Sequence, residues 1–275
     1  MNSEELKRKA KILPYIDAST CRIPCKGEQR RDRGGEIIPV YKPKGMTSFE
    51  VVRIVRHELK QRWNTGRREK VGHAGTLDPL AEGLLILLTG SKTKTMNEFL
   101  KLDKEYHATF RLGVTSKSYD LETEVVEQTC NIHFSQQRLI ETLKKFTGRI
   151  EQVPPEHSAT WVGGKRAYHL ARRGIGFELR PKTITISEMK LVSFEPPFLE
   201  IVIVCSSGTY VRSLARDIGE ELGCGAVLTE LVRTRIGTYE IENAIKLDEL
   251  RTFMGQMKFS EHDSGSIHLF SFGVV

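Results

Sequence analysis

Residues 71–83 read VGHAGTLDPLAEG and run directly into LLILL. Gly72, Gly75 and Gly83 allow backbone conformations closed to other residues, while Pro79 fixes the chain just after Asp78. A short apolar run bounded by such punctuation reads as a buried strand. The segment therefore predicts Asp78 on a loop that enters a strand of the core. The residues alone admit two readings of that acid. It is either a turn aspartate bonding its own backbone, or a carboxylate positioned before a substrate arrives.

The flanking sequence supplies the rest of an α+β pattern. EIIPVY reads as a strand, KPKGM as a turn, and TSFE as a capping box in which Thr47 and Glu50 satisfy the first amides of a helix. Val51, Val52, Ile54, Val55 and Leu59 give that helix one apolar face. A basic loop, KQRWNTGRREK, leads back to the glycine-rich stretch. Further on, EYHATFRLG alternates like a strand and SQQRLIETLKKF like an amphipathic helix. TITISEMKLVSF and FLEIVIVC read as an antiparallel pair. A helix from Tyr210 to Leu222 ends at Gly223, a left-handed cap. Adjacent strands without a βαβ rhythm predict a mixed, mostly antiparallel sheet flanked by helices. The chain shows no internal repeat.

Composition narrows the partners. The 275 residues carry a formal charge of +7, which favours an anionic ligand. No apolar stretch approaches the roughly 20 residues that a spanning helix needs, and the N-terminus lacks the apolar region of a secretory signal. Five scattered cysteines, with only Cys21 and Cys25 close together, fit a reducing cytoplasm better than a disulfide framework. No histidine lies near CRIPC, so no metal site is expected. TGSKTKT lacks the glycine and the adjacent Gly-Lys of a phosphate loop, and reads as a polar helix start. Cys205 ends an apolar strand and reads as packing rather than a nucleophile. Residues 1–35 read as a basic, solvated arm.

KPKGMTS, VGHAGTLDPLAEG, DKEYHATFRLG, QVPPEHSATWVGGKRAYHLARRG and CSSGTYVRSLARDIGEELGCGA stand in the order and spacing of the TruB family of pseudouridine synthases. The resemblance covers about residues 36–248 and is strongest to the bacterial tRNA pseudouridine-55 synthases, to which SYDLETE and RTRIG are also similar. It implies the pseudouridine synthase fold with a central RNA-binding cleft. The implied reaction detaches a uracil from its ribose in the T-loop of tRNA, turns it, and rejoins it through a ring carbon, without cofactor or metal. Asp78 matches the family's catalytic aspartate, Arg212 its cationic partner, and Tyr106 the aromatic residue stacked on the target base. The Tyr106 hydroxyl is also a candidate for the proton shift. Tyr210 and Leu231 are expected to line the pocket, Tyr210 bonding near Asp78. Lys42 is expected among the substrate-binding residues, and His73 against the disrupted RNA loop. The target base has to leave its stack to reach such a pocket.

Residues 154–176 match the family's RNA-gripping insertion, in which Lys165, Arg166, Arg172 and Arg173 supply phosphate-binding charge. Here HSATW departs from the usual aromatic-Ser-Ala-x-Lys pattern, with His157 and Trp161 in place of the aromatic residue and the lysine. Losing one cation weakens phosphate contact, while Trp161 adds a ring for stacking. The tail 249–275 is expected to be short and irregular, too short for the C-terminal PUA module that many members carry. The expected partners are the T-loop and acceptor arm of tRNA, with no membrane, guide RNA or protein partner, and the expected state is a monomer in the cytoplasm. Two other readings stand beside this one: an RNA-binding folding factor, and a synthase acting on ribosomal or messenger RNA.

Overall fold

A computed structural model describes residues 35–63, 70–250 and 252. The basic arm with Cys21 and Cys25, most of the basic loop and nearly all of the tail lie outside the described residues. Strand β1 (Ile37–Lys42) leads to helix α1 (Ser48–Trp63), followed by β2 (Val71–His73) and β3 (Glu82–Thr89). A 3-10 turn at Gly90–Thr95 runs into α2 (Met96–Lys101), the polar helix start expected of TGSKTKT. Next come β4 (Lys104–Leu112), β5 (Val114–Ser116), β6 (Val125–Glu127), α3 (Gln136–Lys145) and β7 (Gly148–Gln152). The insertion holds β8 (Trp161–Val162), β9 (Lys165–Arg166) and α4 (Ala167–Ala171). The chain continues with β10 (Lys182–Glu195), β11 (Phe198–Cys205), α5 (Val211–Leu222), β12 (Ala226–Ile236) and β13 (Tyr239–Glu240).

The main sheet runs β1-β3-β12-β4-β11-β10-β7, with β2 and β13 added beside β3 and β12. Its pairings are antiparallel except one. β12 meets β3 in parallel, and only through Val232 opposite Glu82 and Arg233 opposite Gly83. Two antiparallel halves are thus joined at two residue pairs, immediately after the Asp78 loop. Below this join the first half of β12 is free of β3, and the segment carrying Asp120 comes alongside Leu228 instead.

Packing explains the apolar patterns. Val51, Val52, Val55 and Leu59 of α1 bury against Ile38, Val40, Leu85 and Leu87. On the other face of β3, Leu84, Ile86 and Leu88 pack with Val232 and Ile236. β3 is covered on both sides, so LLILL does not alternate. A third cluster joins Ala108 and Phe110 of β4 and Leu199, Ile201 and Ile203 of β11 to Leu214, Ala215 and Ile218 of α5. The capping box forms as expected. The Thr47 amide donates to the Glu50 carboxylate at 2.7 Å, and the Glu50 amide to Thr47 Oγ1 at 3.1 Å. Gly223 closes α5 with φ +79°.

Two corrections concern strands. VGH and EG, the ends of the supposed loop, belong to β2 and β3, which pair as a hairpin with Val71 opposite Thr89. AVLTELVRTRI is the central strand β12, although its periodicity does not announce one. Irregularities between Leu228 and Glu230, and again between Arg233 and Arg235, reset the alternation.

The join also dictates Gly83. Its φ is +110°, and a Cβ there would lie 2.4 Å from the Arg233 carbonyl oxygen and 2.8 Å from the Arg233 nitrogen. Both atoms belong to the strand backbone, which cannot move aside. Gly83→Ala is expected to lower unfolding free energy by at least about 2 kcal/mol, read from the midpoint of urea denaturation.

Candidate active site

Residues 74–81 link β2 to β3 and are tied down on every side. Ala74, Leu77 and Ala81 point into the core, and Asp78 does not. The Ala74 amide donates to Ile86 O at 2.9 Å, and the Gly45 amide to Pro79 O at 2.7 Å. Ser48, at the start of α1, both accepts from the Leu77 amide at 2.9 Å and donates to the Leu77 carbonyl at 3.0 Å. Arg233, 1% exposed, donates to Gly75 O at 3.0 Å and to Leu84 O at 2.8 Å, clasping both ends of the loop. Asp78 is therefore held by its neighbours' backbone rather than by its own turn alone.

The Asp78 carboxylate faces a cavity of about 440 Å³ lined by Tyr106, Tyr210, Arg212, Leu231 and Arg233 among others. Arg212, on the first turn of α5, reaches Asp78 Oδ2 with its Nε at 3.0 Å. Its Nη1 lies 3.6 Å from Asp120 Oδ2 and donates to Ser118 O at 3.2 Å, while Nη2 donates to His157 O at 3.0 Å. Every nitrogen of the guanidinium is engaged. A lysine, with one ammonium, cannot hold these positions together.

Two opposing effects act on Asp78. Burial among low-dielectric walls pushes its carboxyl up, Arg212 pulls it down, and Asp120 and Glu122 push it up again, with a net rise. Although 45% of the side chain is accessible, that access is through the cavity mouth, and the flanking walls are protein. The nearby cation thus moderates the cost of ionisation without removing it. Burial also raises Tyr106 above the ordinary phenol range, partly offset by the Arg233 charge beside it. The phenol is protonated at neutral pH and is a proton donor there.

The structure brings Asp78, Tyr106, Tyr210, Arg212, Leu231 and Arg172 to one cavity. Tyr210 differs from expectation in one contact. Its hydroxyl lies 3.2 Å from Thr160 Oγ1 in the insertion rather than on Asp78, and its backbone is gripped by Gln152. Lys42 is placed elsewhere. It is fully buried, and its ammonium donates to Pro43 O and Met46 O, bracing the turn that receives Pro79. Burial lowers its pKa to about 8. Lys42 supports the loop from behind and offers no surface to a substrate. His73 lies half-buried on β2, outside the cavity lining, and burial lowers its pKa. Lys165, Arg166 and Arg173 are on the insertion beyond the cavity wall, while Arg172 pairs with Glu122 at 2.8 Å. Among the described residues no cluster of His, Cys, Asp or Glu is arranged to hold a metal.

Arg233, Asp120 and Ser48 belong to this site and were not expected there. Arg233 lies within RTRIG and Asp120 within SYDLETE, both legible as family motifs but without a role until β12 and the 118–123 turn are seen in space.

Comparison with known proteins identifies the arrangement. The profile of the TruB family pseudouridylate synthase N-terminal domain matches residues 62–211. The chain belongs to the TruB family. The profile of the tRNA pseudouridylate synthase B C-terminal domain continues over residues 212–266, so Asp78 and Arg212 fall on opposite sides of that boundary. The chain is 45% identical to tRNA pseudouridine synthase B of Phocaeicola vulgatus over 82% of its own length and 96% of the relative's. It is 48% identical to that of Bacteroides fragilis over 77% and 90%. The Cbf5 of a crystallised Cbf5–Nop10–Gar1 complex is similar in fold, with a TM-score of 0.60 and 30% identity over 78% of this chain. A second similar structure, an H/ACA RNP bound to a substrate RNA containing 2′-deoxyuridine, has a TM-score of 0.57 and 26% identity over 89% of this chain. The TruB chain here spans 53% and 64% of those two chains. It is therefore a TruB-family protein with the pseudouridine synthase fold, an α+β architecture.

A raised carboxyl pKa costs stability. The folded state holds the proton more tightly than the unfolded state, so stability falls as pH rises from the unfolded pKa through the folded one. Asp78→Asn is expected to melt at a higher temperature than wild type at pH 7, the difference shrinking below pH 4. Calorimetry at the two pH values checks it.

Proposed function

We propose that this protein converts uridine to pseudouridine in tRNA, at the T-loop uridine numbered 55, and acts on the RNA without a guide or protein partner, as a cytoplasmic monomer. The reading is supported above all by one observation. An aspartate is clamped on a strand-entry loop, 3.0 Å from a buried guanidinium, in a cavity of about 440 Å³ that Tyr106 and Leu231 also line. The relatives named tRNA pseudouridine synthase B supply the substrate class. Among the described residues no helix is long and apolar enough to cross a membrane.

In this proposal the base flips out of the loop and stacks on Tyr106 against Leu231. Ionised Asp78 attacks or deprotonates, and Arg212 stabilises its negative charge. The bond between ribose and ring nitrogen breaks, the uracil turns, and a bond forms from ribose to a ring carbon. That carbon loses its hydrogen as a proton and the freed nitrogen gains one, so reactant and product are isomers. Lys165, Arg166, Arg172 and Arg173 hold phosphates outside the cavity, and His73 meets the opened loop. An RNA-binding folding factor in which modification is incidental is the competing reading, and rescue of cells lacking the protein by an Asp78→Asn variant would favour it over the isomerase.

The protein alone, incubated with unmodified tRNA tritiated at the ring carbon that becomes bonded to ribose, should release tritium at the T-loop uridine. Asp78→Asn should release none, a loss of at least about 10³-fold. Tight binding without release by wild type would overturn the proposal. Because Asp78 works ionised, single-turnover rates should fall as pH drops, with a midpoint above the ordinary carboxylate range. Arg212→Gln removes the charge that pulls Asp78 down, so its acid limb should move to higher pH.

A further inference from the structure

We propose that Trp161 and Arg166 form a stacking platform for a nucleobase of the bound RNA other than the target uridine. This rests on the reading of tRNA as substrate. Trp161 and Arg166 are cross-strand partners in the β8–β9 hairpin. Its turn is Gly163-Gly164, both with positive φ, the chemistry of the tight hairpin turn that keeps paired side chains on one face. The Arg166 guanidinium lies 4.2 Å over the indole centroid and also donates to the Ala159 carbonyl, so it is fixed from two directions.

Trp161 is 61% exposed and joins none of the core clusters. The fold does not use this ring, although leaving it in water forgoes its burial. Its position selects the occupant. Ser158 and Ala159, two to three residues earlier, line the catalytic cavity, so the platform lies just outside the pocket mouth. Lys165 and Arg166 supply cations beside it for the phosphates of the same nucleotides. An aromatic ring beside fixed cations suits a base with its backbone, and stacking tolerates any base because each has a π face.

The chain has two tryptophans, so Trp63→Phe leaves Trp161 as its single indole reporter. Titrating this variant with an unmodified tRNA transcript should quench its fluorescence, with the same midpoint as filter binding. Trp161→Ala should raise Kd and KM about tenfold, the loss falling on KM rather than on the single-turnover rate, and Trp161→Phe should recover most of it. The deficit should persist at high salt, where a lost phosphate contact would fade. Unquenched fluorescence, or Trp161→Ala binding and modifying tRNA like wild type, would overturn the platform while leaving the function intact. Failure of wild type itself to bind and modify the tRNA would instead overturn the substrate reading, and the platform with it.

Discussion

The guanidinium of Arg212 is the interaction on which the site depends. One buried cation, 6% exposed, touches the carboxylate of Asp78, the carboxylate of Asp120, and the carbonyls of Ser118 and His157. These belong to three separate stretches: the loop before β3, the turn after β5 that carries both Ser118 and Asp120, and the root of the insertion. A planar group with fixed donor directions sets angles as well as distances, which a flexible ammonium would not. Removing it would leave Asp120, 4% exposed, as a buried carboxylate without its cation. The charge therefore answers a structural need as well as a chemical one, and the two cannot be separated by deleting the side chain.

The sheet explains why the acid is where Arg212 can reach it. Two antiparallel halves meet at Val232–Arg233 and Glu82–Gly83 alone. Arg233 belongs to that join, and its side chain then returns to the Gly75 and Leu84 carbonyls. The same residue aligns the strands with its backbone and the Asp78 loop with its side chain. Gly83 is required because the two backbones touch there. Asp78 lies four residues before the contact, too short a stretch to wander. Precision at the carboxylate comes from backbone pairing, and the raised proton affinity of Asp78 is the accompanying electrostatic cost.

Local signals in the sequence spoke for themselves where local physics sufficed. Thr47 and Glu50 form their box because both partners lie within one turn. Gly223 caps α5 because a left-handed residue is needed there, and β3 reads apolar because both faces are covered. Asp78 was nominated by its glycines and proline, yet its partner was named by resemblance, since 134 positions of sequence separate Asp78 from Arg212. β12 is not announced by its sequence because irregularities break its period and one of its buried positions is an arginine, Arg233. Lys42 is expected at the substrate by resemblance alone, and only the packed structure shows it at the end of β1 with its ammonium donating to the Pro43 and Met46 carbonyls. Burial of a charge inside a network of carbonyls leaves no periodic trace.

The insertion rests on the cavity through a different kind of contact. Arg212 donates to His157 O, Tyr210 meets Thr160, and Arg172 pairs with Glu122. All three are polar, and the Arg172–Glu122 pair is open to solvent, 63% and 38% exposed, where ion pairs contribute little. The Asp78 loop, by contrast, is fixed by Ala74, Leu77 and Ala81 in the apolar core as well as by buried hydrogen bonds. The part of the site packed into the core holds the acid, and the part held by solvent-facing polar contacts is the insertion. The insertion and Asp78 are joined through Arg212, which holds the carbonyl of His157, itself in the cavity wall, and the Asp78 carboxylate at once.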